Sequence, residues 1–402
     1  MASFTEDGDE YASYTCDNAS DQITKDVKSK TLSFEDFPSA SGRRASIRAQ
    51  SKKTEPLPST ASEELPITYQ LMQLVNIAKL TGSIVRTGYG VHDFAALLSW
   101  PIARGGYFQT RETHHAGVAK YPVLATASTE LSDKSYKALA NELRVLSHPP
   151  LMAHRNIVKI RTIGWTRLDP VSPAWIPMIF LELADLGTLT KYLSEQQLGV
   201  DSKLAIARDV GAGLQALHAC GIMHGDLKTD NILMFKGVDG KVHAKLSDFG
   251  CSYIRRQGDE HEGGDDGAEV EITAGTKPWN SPELNHSVPV RLLQNVDTYC
   301  FGLLVWRLFL NGRNPFEGLE EEEIDCRKTQ DFMISDASRS LEEEHDRRMI
   351  LRGGVSSQDR VHLYMRGVAM PKRCFRYCLS WAVRDRNLDI AMESLSFDRI
   401  YG

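Results

Sequence analysis

The run His224-Gly225-Asp226-Leu227-Lys228-Thr229-Asp230-Asn231 sets a carboxylate, an ammonium group and an amide close together in the chain. Asp248-Phe249-Gly250 follows after an interval that suits a hairpin. Ile232-Leu233-Met234-Phe235 and Val242-His243-Ala244-Lys245-Leu246 read as its strands, with Gly237-Val238-Asp239-Gly240 as the turn. Two carboxylates, an amide and an ammonium group are what phosphoryl transfer to a hydroxyl requires. One carboxylate orients the nucleophile and accepts its proton. The amide and the second carboxylate hold a divalent cation on the phosphates, and the ammonium neutralises charge on the group in flight.

These residues need a frame. Leu204 to His218 has apolar positions at helical spacing and leads directly into the catalytic run. Val296 to Leu310 is apolar nearly all round, which predicts a helix buried on most faces. Residues from about 100 to 180 read as β-rich with one helix, about Ser132 to Leu146, and the chain from about 185 reads as mostly helical.

The ordered motifs resemble those of the eukaryotic-type protein kinase superfamily over roughly residues 100 to 400. The resemblance implies an α+β, two-lobed fold: a small β-rich N-lobe with one main helix (about 100–183) and a larger, mostly helical C-lobe (about 184–402). It implies Asp226 as catalytic base, Lys228 as the phosphate-neutralising cation, and Asn231 and Asp248 as ligands of Mg²⁺. Lys120, after Val118-Ala119, becomes the anchor of the ATP phosphates and Glu142 its partner on the N-lobe helix; Lys134 and Lys137 compete but lie on that helix. Glu182 to Ala184 becomes the hinge that hydrogen-bonds adenine, with Leu181 at the back pocket and Val118 and Leu233 sandwiching the base. Leu146, Ile160, His224 and Phe249 become a stack through both lobes.

The glycine-rich loop matches least. In Ile102-Ala103-Arg104-Gly105-Gly106-Tyr107-Phe108 only Gly105 fills an expected glycine position; Ala103 and Phe108 replace the other two. Glycines there let backbone N–H groups approach phosphates. Gly225 replaces the Arg that normally grips an activation-loop phosphate, which removes the usual reason to require phosphorylation there.

Small-molecule phosphotransferases of the aminoglycoside-kinase kind share H-G-D and a downstream Asp. Against them stand Lys228, the substrate loop Gly275-Thr276-Lys277-Pro278-Trp279-Asn280-Ser281-Pro282-Glu283, and Asp297, expected to hold the catalytic-loop backbone. Arg386 is placed to pair with Glu283. Lys228 and Thr276 favour serine/threonine over tyrosine specificity. The reading is a serine/threonine protein kinase acting on protein hydroxyls with ATP and Mg²⁺. A pseudokinase serving as a binding or scaffold module remains as the alternative from another class. The motif style is also similar to divergent kinases of filamentous fungi.

Composition bounds the rest. At 402 residues the chain has room for one large two-lobed domain or two small ones. A formal net charge of −6 gives no general reason to expect nucleic acid or an anionic membrane as partner. Seven scattered Cys, an odd number, argue for reduced thiols and an intracellular home, cytoplasmic or nuclear. Cys374 and Cys378 are spaced to pack on one helical face. No apolar run approaches a membrane span, and no signal peptide is visible. Residues 1–66 read as a disordered tail, with Arg43-Arg44-Ala45-Ser46 as a basic patch, and 67–99 as a helical lead-in. Gln257 to Ile272 carries seven acids and no Lys or Arg, read as a solvated insert or a loop that attracts basic substrates. Glu320-Glu321-Glu322-Glu323 reads as a solvated helix face. The chain ends soon after the last expected helix, so no C-terminal regulatory module is expected within it.

Overall fold

A computed structural model of the chain describes residues 103–104, 108–113, 117–122, 133–167, 175–255, 268–330, 332–352 and 355–396. The tail, the lead-in and Gly105 lie outside the described residues, as does most of the acidic stretch 257–272.

The smaller lobe is built on an antiparallel sheet of β1 (Ala103–Arg104), β2 (Phe108–Thr113), β3 (Gly117–Pro122), β4 (Ile160–Arg167) and β5 (Trp175–Glu182), ordered β1-β2-β3-β5-β4. Successive side chains alternate between the two faces. Ala119 and Tyr121 therefore join Met178 and Phe180 in an apolar cluster on one face, and Lys120 is left on the other. On that side runs α1 (Asp133–Leu146). Its buried positions include Ser135, Leu139, Glu142, Leu143 and Leu146, whereas Lys134, Lys137 and Arg144 are exposed. That is one apolar stripe at helical spacing. A short second helix, α2 (Pro149–Met152), follows; it starts on prolines, whose missing N–H costs nothing in a first turn.

Asn156 and Val158 stitch the lobes together. The Asn156 amide donates to the Ala244 carbonyl at 2.9 Å, Leu246 N–H donates to the Asn156 carbonyl at 2.9 Å, and Val158 N–H to the Leu246 carbonyl at 3.0 Å.

The larger lobe contains α3 (Leu189–Glu195), α4 (Val200–Ala219), α5 (Leu293–Phe309), α6 (Glu321–Thr329), α7 (Met333–Arg352), α8 (Ser357–Tyr364), α9 (Met370–Cys378) and α10 (Leu388–Ser394). Between them lie β6 (Ile222–Met223), the hairpin β7 (Ile232–Lys236) and β8 (Val242–Leu246), β9 (Tyr253–Ile254), β10 (Glu269–Glu271) and β11 (Ser287–Pro289). The hairpin is the one expected, with Ile232 opposite Leu246. Helix α5 is buried on nearly every side, as its all-round apolarity requires. It lies tightly against α9: a Cβ added to Gly302 would come within 2.7 Å of Cys378 Cβ. Cys374 and Cys378 are both buried on that face of α9, with their sulfurs 3.7 Å apart.

The end of the acidic stretch is structured: β10 pairs with β11, Glu269 opposite Pro289. Among the described residues no helix is long and apolar enough to cross a membrane. The sheet-based small lobe and helical large lobe make the two-lobed kinase fold.

Candidate active site

Strand β3 and helix α1 bring Lys120 and Glu142 together, and the end of the hairpin adds Asp248. Lys120 Nζ donates to Glu142 Oε2 at 2.6 Å and to Asp248 Oδ1 at 2.9 Å. Lys134 and Lys137 stay exposed, whereas Lys120 is buried against Glu142. Burial opposes the Lys120 charge, but the two carboxylates outweigh it and raise its pKa. For the partly enclosed Asp248 carboxylate desolvation acts upward instead; the Lys120 ammonium reverses this, and the net shift is downward. Glu142, fully buried, is pushed up by desolvation against the pull of Lys120.

Asn141, the residue before Glu142, was not singled out by its motif. Its amide donates to the Ser252 carbonyl at 3.0 Å, tying α1 to the segment after Asp248. An Asn within a helix, where its propensity is poor, is the signal that could have found it.

The catalytic run is folded around Asp226. Lys228 Nζ donates to Asp226 Oδ2 at 2.6 Å and to Thr276 Oγ1 at 2.6 Å, and Thr276 Oγ1 donates to Asp226 Oδ1 at 2.7 Å. Asn231 Nδ2 donates to the Asp226 carbonyl at 2.7 Å and to Oδ2 at 3.1 Å. One carboxylate thus gathers groups from two loops fifty residues apart. Cys251 lies nearby, but burial together with Asp226 and Asp248 pushes its thiol up to about 12, so it is no thiolate.

Asp297 on α5 holds this run from beneath. Its carboxylate accepts from His224 N–H at 2.7 Å and Gly225 N–H at 3.0 Å, and lies 3.0 Å from His218 Nε2. Gly225 sits at φ +82°, and a Cβ there would stand 2.4 Å from the Cys251 carbonyl oxygen. The backbone itself demands glycine where the family usually has Arg. Of the expected stack, Leu146, His224 and Phe249 are buried, Ile160 is half-buried against the same core, and the His224 and Phe249 rings are 5.3 Å apart.

The loop Gly275 to Glu283 is anchored by two basic residues that no motif marks. Lys328 on α6 is buried and donates to the carbonyls of Pro278 and Asn280 at 2.7 and 2.9 Å and to Asn280 Oδ1 at 3.0 Å. Burial pulls its pKa down to about 8. Arg307 on α5 lies 4.8 Å over the Trp279 ring and donates to Thr229 Oγ1 at 2.5 Å. Glu321 and Asp325 bind Lys277 at 2.5 and 2.9 Å, while Glu320 and Glu323 form a capping box. The four glutamates are exposed, as a solvated helix face would be, and they form the start of α6, from which Glu321 pairs with Lys277 at the surface. Arg386 meets Glu283 as expected.

At the hinge, the Glu182 side chain accepts from Lys245 Nζ at 2.6 Å and Lys159 N–H at 2.9 Å. The backbone there is partly committed: Glu182 N–H donates to the Lys159 carbonyl and the Ala184 carbonyl accepts from Gly187 N–H, each at 3.1 Å. Val118 and Leu233 are each half-buried, as walls of a cleft would be.

Mg²⁺ is ordinarily held by one or two protein oxygens plus substrate phosphates, not by an all-protein cage. Asp248 and Asn231 fit: the Asp248 side chain is 45% exposed with one oxygen on Lys120, and the Asn231 nitrogen is committed to Asp226, leaving its oxygen for a cation. Among the described residues no cluster of three His, Cys, Asp or Glu could hold a metal.

The protein kinase domain family matches residues 102–367. Curated relatives include a serine/threonine/tyrosine-protein kinase, HT1, of Arabidopsis thaliana: 29% identity over 231 residues, 57% of this chain and 51% of that protein. The serine/threonine-protein kinase mos of Xenopus laevis is 30% identical over 228 residues, 55% of this chain and 59% of that protein. The putative serine/threonine-protein kinase/receptor R831 of Acanthamoeba polyphaga mimivirus is 26% identical over 246 residues, 60% of this chain and 14% of that protein. The chain spans about half the length of the first two. With the family matching about two thirds of its length, and with this fold and site, the chain belongs to the protein kinase family.

Proposed function

We propose that the chain is a serine/threonine protein kinase that moves the γ-phosphoryl group of ATP to a protein hydroxyl. The observation that carries this reading is the triangle of Asp226, Lys228 and Thr276. It joins a proton acceptor, a charge-neutralising ammonium and a substrate-loop hydroxyl in one contact. Asp226 orients the incoming Ser or Thr hydroxyl and takes its proton as oxygen bonds to the γ-phosphorus. The bond from that phosphorus to the β,γ-bridging oxygen breaks, and its electron pair leaves with ADP. Lys228 neutralises the charge spread over the transferring group, and Lys120 holds the α- and β-phosphates. Asn231 and Asp248 would hold Mg²⁺, and the cation would supply charge neutralisation at the phosphates. Positioning and electrostatics supply most of the acceleration.

Labelled γ-phosphate transfer from Mg·ATP to generic protein substrates, followed by identification of the phosphorylated amino acid, tests the reading. Label on Ser or Thr that vanishes in Asp226→Asn supports it. Label on Tyr alone overturns the specificity. Absence of transfer from folded, nucleotide-saturated protein favours a pseudokinase, the second reading, whose support is the degenerate glycine loop, with Ala103 and Phe108 in place of glycines.

A further inference from the structure

Phe108 opens β2, and two residues on Thr110 faces Lys120 across the β2–β3 pair. Alternation along the strand puts Phe108 and Lys120 on the same side of the sheet. The Phe108 ring centroid lies 4.6 Å from Lys120 Nζ. A Cβ added to Gly250 would stand 3.4 Å from Phe108 Cε2, so the ring edge also reaches the residue two after Asp248. Phe108 is only 6% exposed and belongs to the main apolar core. The Lys120 ammonium is thus enclosed by Glu142, by Asp248 and by an aromatic face. A desolvated ammonium under a ring is a favourable contact in its own right, so the ring has reason to stay.

We propose that Phe108 is a specificity-determining residue of the nucleotide site. Its ring fills the space before Lys120 where the α- and β-phosphates of ATP would lie, so the site takes adenine and ribose readily and the triphosphate only when the ring swings aside. The inference rests on the kinase reading for its ligand and for Lys120 as phosphate anchor. A glycine at this position would leave the space open.

The test is titration calorimetry of the full chain with adenosine and with a non-hydrolysable Mg·ATP analogue, for wild type, Phe108→Gly and Phe108→Ala. Wild type should bind adenosine at least as tightly as the triphosphate. Both variants should bind the triphosphate about tenfold more tightly, about 1.4 kcal/mol, with adenosine affinity within about twofold of wild type. Wild type binding the triphosphate tenfold more tightly than adenosine overturns the proposal, and this needs no variant. Variants that keep adenosine affinity without gaining triphosphate affinity overturn it as well. Phosphate transfer separates the two readings. A wild type that transfers phosphate while preferring triphosphate overturns the role of Phe108 alone. A Phe108→Gly chain that gains triphosphate affinity yet phosphorylates no protein upholds the role of Phe108 and counts against the kinase reading.

Discussion

Arg386 grips Glu283 through two parallel hydrogen bonds, Nη1 to Oε2 at 2.8 Å and Nη2 to Oε1 at 2.7 Å. The arginine side chain is wholly buried, and its Nε donates to the Ser380 carbonyl at 2.7 Å. The pair fastens the end of the substrate loop to the stretch between α9 and α10. Truncating one partner leaves the other charge buried and unpaired. Arg386→Met should therefore lower the unfolding free energy by about 3–5 kcal/mol. Arg386→Lys should recover only part of the loss, because a point charge cannot reproduce the fork. Urea denaturation of both variants checks this.

Asp226→Asn keeps the shape of the site and removes the proton acceptor. Phosphate transfer should fall by about 10²–10⁴-fold, with the denaturation midpoint held. A midpoint that falls along with the rate would mean that the carboxylate is needed for the loop to fold.

Much of the site is legible in the sequence because its chemistry is local. Asp226, Lys228 and Asn231 are fixed by spacing within one short run, and Asp248 follows after a hairpin whose turn can be read. The Lys120–Glu142 pair is legible through the family resemblance and through the helical stripe that turns Glu142 inward. Lys328 and Arg307 are not legible. A basic residue on a helix reads as a solvated charge, and only packing of distant elements around it makes it an internal anchor. Asn141 carries a signal as a poor helix former, but its partner is a backbone carbonyl, so the sequence does not say what it binds. Gly225 is legible as a departure but not as a necessity, since its positive φ and its contact with Cys251 arise only in the fold.

That necessity can be tested. Gly225→Ala should cost about 1–3 kcal/mol of stability, because a Cβ would meet the Cys251 carbonyl in a backbone conformation unsuited to it. Gly225→Arg should destabilise likewise and should not make activity depend on activation-loop phosphorylation. Denaturation together with assays before and after phosphatase treatment checks both.

Lys328→Met should raise KM for a protein substrate by about tenfold, equivalent to about 1.4 kcal/mol, and leave KM for ATP unchanged. Three hydrogen bonds that shape the substrate loop are lost, while the Lys120 side of the cleft is untouched. Charge-assisted bonds are the stronger kind. In wild type, substrate KM should thus rise as pH passes upward through about 8, where Lys328 loses its proton. Steady-state kinetics with each substrate varied in turn, across that range, provides the check.

Lys203 on α4 is buried and donates to the Phe309 carbonyl at 2.8 Å. Burial, with Arg348 and Arg313 adding and Glu344 opposing, pulls its pKa down to about 6 from 10.5. Below about 6 both folded and unfolded chains hold the proton, and the contribution is constant. Between the two values only the unfolded chain holds it, so stability from this group rises with pH, by up to about 1.4 kcal/mol per unit. Lys203→Met should remove that slope. Urea denaturation at about pH 6.5, 7.5 and 8.5 compares the two proteins.

The catalytic run is buckled at both ends to one helix. Asp297 takes the N–H groups of His224 and Gly225, and ten residues along α5, about 15 Å away, Arg307 takes the Thr229 hydroxyl. Since α5 is the most deeply enclosed helix of the large lobe, the strap cannot lift without dissolving the core beneath it. Backbone amides of this run should exchange with heavy water only as slowly as the whole lobe unfolds. Any slow internal motion that gates turnover must then arise in the elements that close over the strap, and not in the strap itself.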